Sequence, residues 1–387
     1  MPPRVVLVHD WLTGVRGGEK CLEPACRRFP DARLFTLLHA RGSAPPAVER
    51  LRPRASALNR LPGWRHYYRY LLPLMPVAAR WPVPACDLVL SFSHCVAKAA
   101  RPPAGVLHVS YCFTPMRYAW HMRDAYFDAT GRGGLGRAKE AARAAVLARI
   151  REWDRAVSDR VTHFVAISRA IQQRIRECYG RDSVIIYPPV DTDFYTPSAV
   201  RREDFYLVVS ALAPYKRFDL AVEACRRLGR NLVVVGSGPD LPRLKAAAGP
   251  GVRFLGWQPD EVVRDHLRRC RALLFPGEED FGIVPVEAMA CGTPVVALGR
   301  GGVAETVVGV GAGPDPTGVL FADQSADGMI AAIQRFEAEA GHLDPAAARR
   351  RALLFRTERY EAELFGYVDA VLAAGRVGRM PADRPTR

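Results

Sequence analysis

At 387 residues and 49% hydrophobic composition, the chain is long enough for two domains that each bury a core, which excludes a disordered protein. Its nine cysteines include no Cys-x-x-Cys pair, which indicates reduced thiols and excludes a disulfide framework and a zinc site. A formal net charge of +15 suits an anionic partner, but no RNA-recognition, zinc-finger or Lys-rich pattern accompanies it, so we expect no nucleic-acid partner.

The first predicted element is a buried strand at Arg4–His9, followed by a loop with Gly17 and Gly18 and then by a helical pattern. This apolar start is too short for a secretory leader, and no run of eighteen apolar residues occurs in the chain, so we expect a cytoplasmic protein without a membrane-spanning helix. Strand, glycine loop and helix in this order place backbone donors where a doubly wound sheet binds ligands. The alternative is a plain flexible turn.

Residues 41–84 are rich in proline and arginine, and their centre, Trp64–Met75, interleaves aromatic, basic and aliphatic side chains. Such a segment fits an acidic membrane surface, with rings at headgroup depth and arginine on phosphate. It equally fits an irregular helical region that packs on the first domain.

Two further strands, Asp87–Ser93 and Gly105–Ser110, each lead into a loop with polar candidates. The first loop contains His94. The second contains side chains that can hold an acceptor sugar or phosphate by stacking and charged hydrogen bonds, namely Arg117, Tyr118 and Trp120.

A long helix is predicted for residues 136–160, and a proline-rich linker at residues 188–197 predicts the domain boundary. Asp191 and Asp193 in this linker match an Asp-x-Asp motif that binds metal ions in other enzymes. Because prolines flank the motif, we interpret it as a turn and expect no metal.

The second domain begins with a predicted strand at Phe205–Ser210, and Lys216 and Arg217 then stand at the start of a helix. Two cations there can clamp a diphosphate and stabilise the charge that builds on it as a leaving group. The alternative is an exposed helix start. A later strand runs into a loop with Trp257 and Gln258.

The stretch Pro276–Pro294 combines an acidic loop with the start of a helix. Gly282, Ile283 and Val284 should present free backbone N–H groups at the helix N-terminus, which suits a diphosphate, and Gly282 permits close approach. Glu279 lies in the loop and Glu287 about one turn into the helix. Alone, the two acids could equally be solvated surface groups.

Glu279 and Glu287, with seven residues between them, resemble the signature of the retaining nucleotide-sugar glycosyltransferases of family 4. The resemblance implies the GT-B fold. It further implies that Glu279 holds the donor sugar, that Glu287 holds the ribose hydroxyls, and that the backbone of Phe281, Gly282 and Ile283 holds the diphosphate.

The runs at residues 9–20 and 111–120 resemble one bacterial branch of that family, the mannosyltransferases of O-antigen and exopolysaccharide assembly. This resemblance implies that Gly17 and Gly18 face the donor phosphates or the acceptor. The family resemblance also makes Trp257 and Gln258 candidate base contacts. Relatives usually have His where this chain has Phe113, and His94 or His108 is a candidate for that place.

We therefore predict an α/β protein with two doubly wound Rossmann-like domains facing a cleft. Residues 1–195 form the acceptor-side domain and residues 196–350 the nucleotide-sugar-binding domain. A helix at residues 351–374 packs back across the boundary, and residues 375–387 form a flexible tail.

The predicted activity is retaining transfer of a hexose, mannose from GDP-mannose, to a lipid-linked or soluble glycan acceptor in bacterial surface polysaccharide synthesis. Glu279, Lys216 and Arg217 are the predicted catalytic residues, no metal or other cofactor is expected, and an acidic membrane surface is a further partner. The location is cytoplasmic, at the inner membrane face. Alternatives are a non-catalytic nucleotide-sugar-binding or scaffold relative, a UDP-sugar-dependent transferase, and a nucleic-acid binder suggested by charge alone.

Overall fold

The computed structural model describes residues 2–120 and 134–377, except for the side chains of Arg69, Tyr118, residues 134–139 and residues 376–377. The chain forms two compact units. One comprises the chain up to Ile186 together with residues from Glu361 onward, and the other comprises Tyr187–Tyr360. From residue 378 onward, the predicted flexible tail lies outside the described residues.

The first unit is built on a parallel sheet of seven strands in the order β3-β2-β1-β4-β5-β6-β7. The apolar runs of the sequence form its centre, where every residue of β1 and β4 is buried, as expected when helices cover both faces. Its strands are β1 (Val5–Leu12), β2 (Arg33–His39), β3 (Arg54–Ala55), β4 (Leu88–Ser93), β5 (Leu107–Cys112), β6 (His163–Ala166) and β7 (Ser183–Ile185).

Seven α-helices and three 3-10 helices are described between these strands. The α-helices are Gly17–Arg28, Pro46–Arg50, Trp64–Tyr67, Met75–Ala78, Arg117–Trp120, Gly134–Ser158 and Arg169–Tyr179, and the 3-10 helices are Ala57–Arg60, Tyr68–Leu74 and Ala97–Ala99. From Glu361, the helix Thr357–Val377 also belongs to this unit, where Arg27 donates to Glu361 at 2.9 Å and Phe365 packs on Phe29.

The second unit is built on a parallel sheet of six strands in the order β10-β9-β8-β11-β12-β13. Its strands are β8 (Tyr206–Val209), β9 (Leu232–Val235), β10 (Val252–Gly256), β11 (Leu273–Phe275), β12 (Val295–Leu298) and β13 (Gly318–Phe321). Its described helices are Pro214–Lys216, Phe218–Leu228, Leu241–Ala247, Asp260–Arg269, Ile283–Ala290, Val303–Thr306, Ala326–Glu339, Ala340–His342 and Pro345–Leu353.

Both sheets reverse their strand order at one point. In the first unit β1 pairs with both β2 and β4, and in the second β8 pairs with both β9 and β11. This order defines a doubly wound sheet, in which ligands bind beyond the carboxyl ends of the strands at the reversal. The prediction of two Rossmann-like domains is therefore confirmed, and each unit has one place where a ligand site is expected.

The cysteines lie in the interior of the protein. All nine cysteines are buried, and burial raises the pKa of thiols such as that of Cys26, to about 12. Among the described residues, no helix combines the length and the apolar character needed to cross a membrane.

Candidate active site

Lys216 and Glu279 meet at the strand reversal of the second unit. Lys216 lies in the loop after β8 and Glu279 in the loop after β11, and Nζ of Lys216 is 2.7 Å from Oε1 of Glu279. The ammonium also donates to Oγ of Ser210 at 2.8 Å, and each partner of the ion pair keeps 16% of its side chain exposed. Two of the three predicted catalytic residues are thus side by side, with a cation held in place at the expected ligand position.

Three glycines fix the backbone around this ion pair. A Cβ on Gly277 would lie 2.8 Å from the carbonyl oxygen of Lys216, and one on Gly301 would lie 2.3 Å from that of Glu279. The N–H of Gly302 donates to the same Glu279 carbonyl at 2.8 Å. The glycines therefore let three loops approach closely enough to position Glu279.

The helix Ile283–Ala290 begins next to Glu279, with Gly282 as its N-cap in the left-handed conformation at φ 85°. Pro285 lies in the first turn, and the N–H groups of Ile283 and Val284 have no intrahelical acceptor. Phe281 is 3% exposed and packs against Tyr187. The packing of Phe281 therefore fixes the start of the helix, and the first N–H groups of the helix remain suited to binding an anion.

Replacing Gly282 with alanine is expected to cost about 2–4 kcal/mol of unfolding free energy, because the left-handed conformation is strained and the new Cβ would lie 2.8 Å from Cγ2 of Val303. Gly229→Ala is the matched control, since Gly229 has φ 62° but no atom within 4 Å of a new Cβ. That variant should lose only about 1 kcal/mol. Urea unfolding of both variants tests this, and equal losses would contradict it.

Arg217 does not join the ion pair. It adopts a left-handed conformation at φ 54° just before the helix Phe218–Leu228, and its Nε is 3.2 Å from Asp219. Asp219 is also 3.6 Å from Arg243. The third predicted catalytic residue is therefore paired with Asp219 rather than with Glu279.

Glu287 is buried in the helix Ile283–Ala290, with only 5% of its surface exposed. Burial, with Glu287 as the largest charge contribution, raises the pKa of Tyr195 far above its usual range. Neither Glu287 nor Glu279 is the solvated surface acid that the alternative interpretation required.

Trp257 and Gln258 follow β10, which is the edge strand of the second sheet, two strands from β8 and thus about 10 Å away. The Trp257 ring is 74% exposed, whereas Nε2 of Gln258 donates to the carbonyl of Leu255 at 2.8 Å. The exposed indole is available for stacking, and the Gln258 amide is already engaged.

In the first unit, Asp10 and His94 meet at the other strand reversal. Asp10 is fully buried at the end of β1 and accepts N–H groups from the backbone of residues 94–97 at 2.6–2.9 Å. Nδ1 of His94 is 2.9 Å from the same carboxylate. Burial alone would raise the pKa of Asp10, but the charge and hydrogen bonds of His94 outweigh it and lower that pKa well below its usual range.

The His94 ring is oriented by its neighbours. Its Nδ1 faces Asp10, and its ring lies edge-on to Trp11 with centroids 4.4 Å apart. When the neutral ring carries its proton on Nδ1, Nε2 is left as an acceptor. With 28% of the side chain exposed, His94 can contact a ligand through Nε2.

The glycine loop of the first unit lies against His9 and Phe113. Gly17 begins the helix Gly17–Arg28, and a Cβ on Gly18 would lie 3.2 Å from the His9 ring and 3.5 Å from the Phe113 ring. The Phe113 centroid is 6.3 Å from that of His94. The structure thus gathers Gly18, Phe113 and His94 beyond the carboxyl ends of neighbouring strands, with His9 of β1 beside them.

His108 is not part of this group. It pairs with Val89 near the amino end of β5, is fully buried, and has Nε2 2.9 Å from Oγ of Ser91. Burial lowers the pKa of His108 to about 4, so its ring is neutral at pH 7. As an acceptor-side candidate and as a substitute at the place of Phe113, His108 therefore has no support from the structure.

The remaining acceptor-side candidates lie in the helix Arg117–Trp120. Trp120 points inward, where Nε1 donates to Oδ2 of Asp154 at 2.9 Å. Arg117 is half-buried, and the side chain of Tyr118 lies outside the described residues. The indole N–H of Trp120 thus donates to a group of the protein itself and is not available to an acceptor substrate.

Trp120 belongs to a buried polar cluster that the sequence did not predict. Lys98 and Asp154 are fully buried, and their side chains form an ion pair at 2.6 Å. Tyr179 donates to Asp154 at 2.7 Å, and Lys98 donates to the carbonyl of Cys95 at 2.7 Å. Burial alone would lower the pKa of Lys98, but the charge of Asp154 raises it. The cluster fixes the loop that follows β4 and thereby the position of His94.

No metal site emerges from the described side chains, in which no three His, Cys, Asp or Glu residues come together in a suitable group. Asp191 instead accepts the backbone N–H of Phe194 at 2.9 Å. The Asp191 side chain thus caps a local turn three residues on, which is the turn role expected of an aspartate in this linker.

Two doubly wound domains with ligand positions at their strand reversals define the fold class, which is the GT-B type. Residues 193–351 match the family described as "Glycosyl transferases group 1". This segment contains Lys216, Glu279 and Glu287. The match and the names of the relatives below support a transferase.

Curated relatives are similar to parts of the chain. A D-inositol 3-phosphate glycosyltransferase of Geodermatophilus obscurus is 35% identical over 229 residues, which cover 51% of this chain and 48% of that protein. A GDP-mannose-dependent alpha-(1-6)-phosphatidylinositol monomannoside mannosyltransferase of Mycolicibacterium smegmatis is 31% identical over 173 residues, covering 37% and 45%. The chain spans about half the length of the curated relatives that it matches.

Solved structures agree over nearly the whole chain. HepE of Anabaena, solved with UDP and glucose, superimposes with a TM-score of 0.67 at 17% identity and covers 95% of this chain and 100% of its own. WaaG, a glycosyltransferase involved in lipopolysaccharide biosynthesis, gives a TM-score of 0.61 at 16% identity and covers 95% and 99%. At this identity the likeness establishes the fold, and the predicted GT-B class is confirmed.

Proposed function

We propose that the chain is a retaining glycosyltransferase that moves a hexose, mannose from GDP-mannose, to a lipid-linked glycan acceptor in bacterial surface polysaccharide synthesis. The observation that carries the proposal is the 2.7 Å pair of Lys216 and Glu279 at the strand reversal, beside the helix that begins after Gly282. This combination offers a fixed cation, a carboxylate and unpaired helix N–H groups at one ligand position.

The proposed reaction breaks the bond between C1 of the sugar and the oxygen of the diphosphate, and the acceptor oxygen bonds to C1 on the same face. The acceptor proton passes to the leaving diphosphate. Lys216 and the N–H groups at the helix start stabilise the charge that builds on that leaving group. Glu279 holds the sugar and orients Lys216, and Arg217 supplies a second cation close by in the chain. With these cations the proposal needs no metal.

Glu287, Trp257 and Gln258 complete the donor site in this proposal. The buried carboxylate of Glu287 binds the ribose hydroxyls, and the exposed Trp257 ring stacks on the base with Gln258 beside it. In the first unit, His94, Gly17 and Gly18 are the proposed acceptor contacts, and Arg117 and Tyr118 are further acceptor-side candidates.

The choice of mannose and GDP rests on the sequence resemblance and on one relative whose name specifies GDP-mannose. HepE, solved with UDP-glucose, represents the UDP-sugar alternative. In the proposal the enzyme is cytoplasmic and acts at the inner membrane face, where a lipid-linked acceptor would be anchored.

Ligand-dependent melting tests the donor. We expect GDP-mannose to raise the melting temperature more than UDP-glucose or ADP-glucose at equal concentration, since binding to the native state stabilises it by mass action. Transfer of mannose to membrane-extracted lipid acceptor should continue in EDTA. A shift with UDP-glucose alone would move the proposal to the UDP-sugar alternative, and loss of transfer in EDTA would contradict the metal-free mechanism.

A non-catalytic relative is the second candidate, and the apolar Phe113 ring near His9 and His94 is the observation that favours it. Such a protein would bind GDP-mannose in calorimetry without forming product with any acceptor. A Phe113→His variant that gains transfer, where the natural chain shows none, would identify this case.

A further inference from the structure

The segment Ala57–Arg80 of the first unit has two sides of different character. It consists of short helices, among them Trp64–Tyr67, Tyr68–Leu74 and Met75–Ala78. One side is anchored in the hydrophobic core by four buried side chains, Trp64, Tyr68, Leu72 and Met75. The segment is therefore an ordered part of the domain, with its inward face occupied.

The outward side exposes large apolar side chains. Tyr70 is 82% exposed, Leu74 52% and Val77 60%, and Leu61 adds a fourth at 36%. Tyr70 and Leu74 lie in the 3-10 helix Tyr68–Leu74 and Val77 in the next helix, Met75–Ala78, so these exposed side chains are close together in the chain. Ten large hydrophobic residues are exposed among the described residues, and these four fall within residues 61–77, whereas the other six are scattered along the chain.

The same segment is purely basic. Between Leu51 and Cys86 the sequence contains six arginines and neither Asp nor Glu. The five with described side chains are all exposed, and none forms an ion pair within the part of the chain that the structure describes; they are Arg52, Arg54, Arg60, Arg65 and Arg80. Arginines elsewhere are commonly paired, as Arg226 is with Glu223. The positive charge around the exposed apolar residues is therefore not compensated by described acidic groups.

We propose that this face, formed by Leu61, Tyr70, Leu74 and Val77 with the surrounding arginines, docks on an anionic lipid bilayer. The apolar side chains enter the interfacial region, and the guanidinium groups bind lipid phosphates while their stems lie along the apolar surface. Positive charge without acidic partners, placed around exposed apolar side chains, complements an anionic bilayer, in which charged phosphates lie above the apolar acyl chains. The docking face does not depend on the proposed sugar transfer.

Vesicle flotation of the full chain tests the proposal. Vesicles of phosphatidylcholine with 30% phosphatidylglycerol, a composition chosen to be about one-third anionic, should bind the protein, and pure phosphatidylcholine vesicles should not. Binding to the anionic vesicles should weaken with salt. No binding to anionic vesicles at low salt, or equal binding to both compositions, would overturn the proposal.

Two sets of substitutions locate the face. Arg60→Gln with Arg65→Gln and Arg80→Gln should weaken binding by about fivefold per arginine, on the order of 100-fold in total. The matched control replaces three exposed arginines elsewhere, Arg149, Arg155 and Arg253, and should change binding by less than about threefold, since distant charges are screened. Equal losses from both sets would show that overall charge, not this face, drives binding.

A triple variant tests the apolar part of the face: Tyr70→Ser, Leu74→Ser and Val77→Ser. The matched control replaces three apolar residues that are exposed elsewhere: Val146→Ser, Val184→Ser and Leu354→Ser. Only the first set should lower vesicle binding. Sedimentation equilibrium of the same variants distinguishes another occupant, because conversion of a dimer to a monomer with unchanged vesicle binding would assign the face to a second copy of the chain and overturn the proposal. Thermal shifts with GDP-mannose, measured on the same variants, report donor binding independently of vesicle binding. A failure of the docking proposal can therefore be distinguished from a failure of the proposed activity.

Discussion

Glu279→Gln is expected to lower kcat for sugar transfer by about 10²–10³-fold, the range found when one preorganised charge-stabilising group is removed. The carboxylate is 2.7 Å from Lys216, and a neutral amide cannot hold the ammonium in the same way. Binding of the nucleoside diphosphate should persist, because the helix start after Gly282 and Glu287 are unchanged. Initial rates with GDP-mannose, together with calorimetry of GDP, measure the two effects separately.

The matched control is Glu223→Gln in the same unit. Glu223 also pairs with a cation, Arg226, at 2.8 Å, but on an exposed helix surface. Exposed pairs contribute little, so kcat should stay within about twofold of the unmodified chain. If Glu279→Gln transferred sugar as fast as this control, the role of the Lys216 and Glu279 pair in the proposed reaction would be refuted.

Lys98→Met is expected to lower the free energy of unfolding by about 3–5 kcal/mol, because it leaves the carboxylate of Asp154 buried without its cation. Both side chains are fully buried, and their charged atoms are 2.6 Å apart. Urea unfolding followed by tryptophan fluorescence and by circular dichroism measures the loss.

The double variant Lys98→Met with Asp154→Asn separates burial of an unpaired charge from simple loss of packing. The asparagine oxygen can still accept from Tyr179 and Trp120 but carries no charge, so part of the lost stability should return. Arg227→Met, which breaks an exposed pair with Asp327, should cost less than about 1 kcal/mol. A double variant less stable than Lys98→Met alone would contradict the explanation.

Much of the fold can be predicted from the sequence because parallel strands that are buried on both faces appear as continuous apolar runs. The run from Val5 to Val8 and the run Leu273–Phe275 are apolar without alternation, and both form central strands. Glycine and proline mark the turns that follow, as Gly282 does at the N-cap and Pro285 in the first turn of the helix Ile283–Ala290. The strand order then brings Lys216 and Glu279 together although 62 residues separate them in sequence.

The parts that the sequence did not predict depend on contacts between distant segments. Asp10 accepts four backbone N–H groups from residues 94–97, and no local pattern marks such an acceptor. Ser210, the second partner of Lys216, looks like any residue at a strand end. His108 was placed with the ligand candidates because composition does not tell which end of a strand faces the site. Arg217 was expected near Glu279, but Asp219 two residues later competes for its guanidinium.

Lys216 is held in place by two groups of its own domain. A free lysine side chain loses up to about 2 kcal/mol of rotamer entropy when it is immobilised. Here Ser210 at 2.8 Å and Glu279 at 2.7 Å restrict the ammonium within the folded domain, so that loss of entropy occurs on folding. Binding of an anion therefore does not carry the entropy cost of immobilising this side chain. The complex should be tighter than one formed with a mobile lysine at the same position.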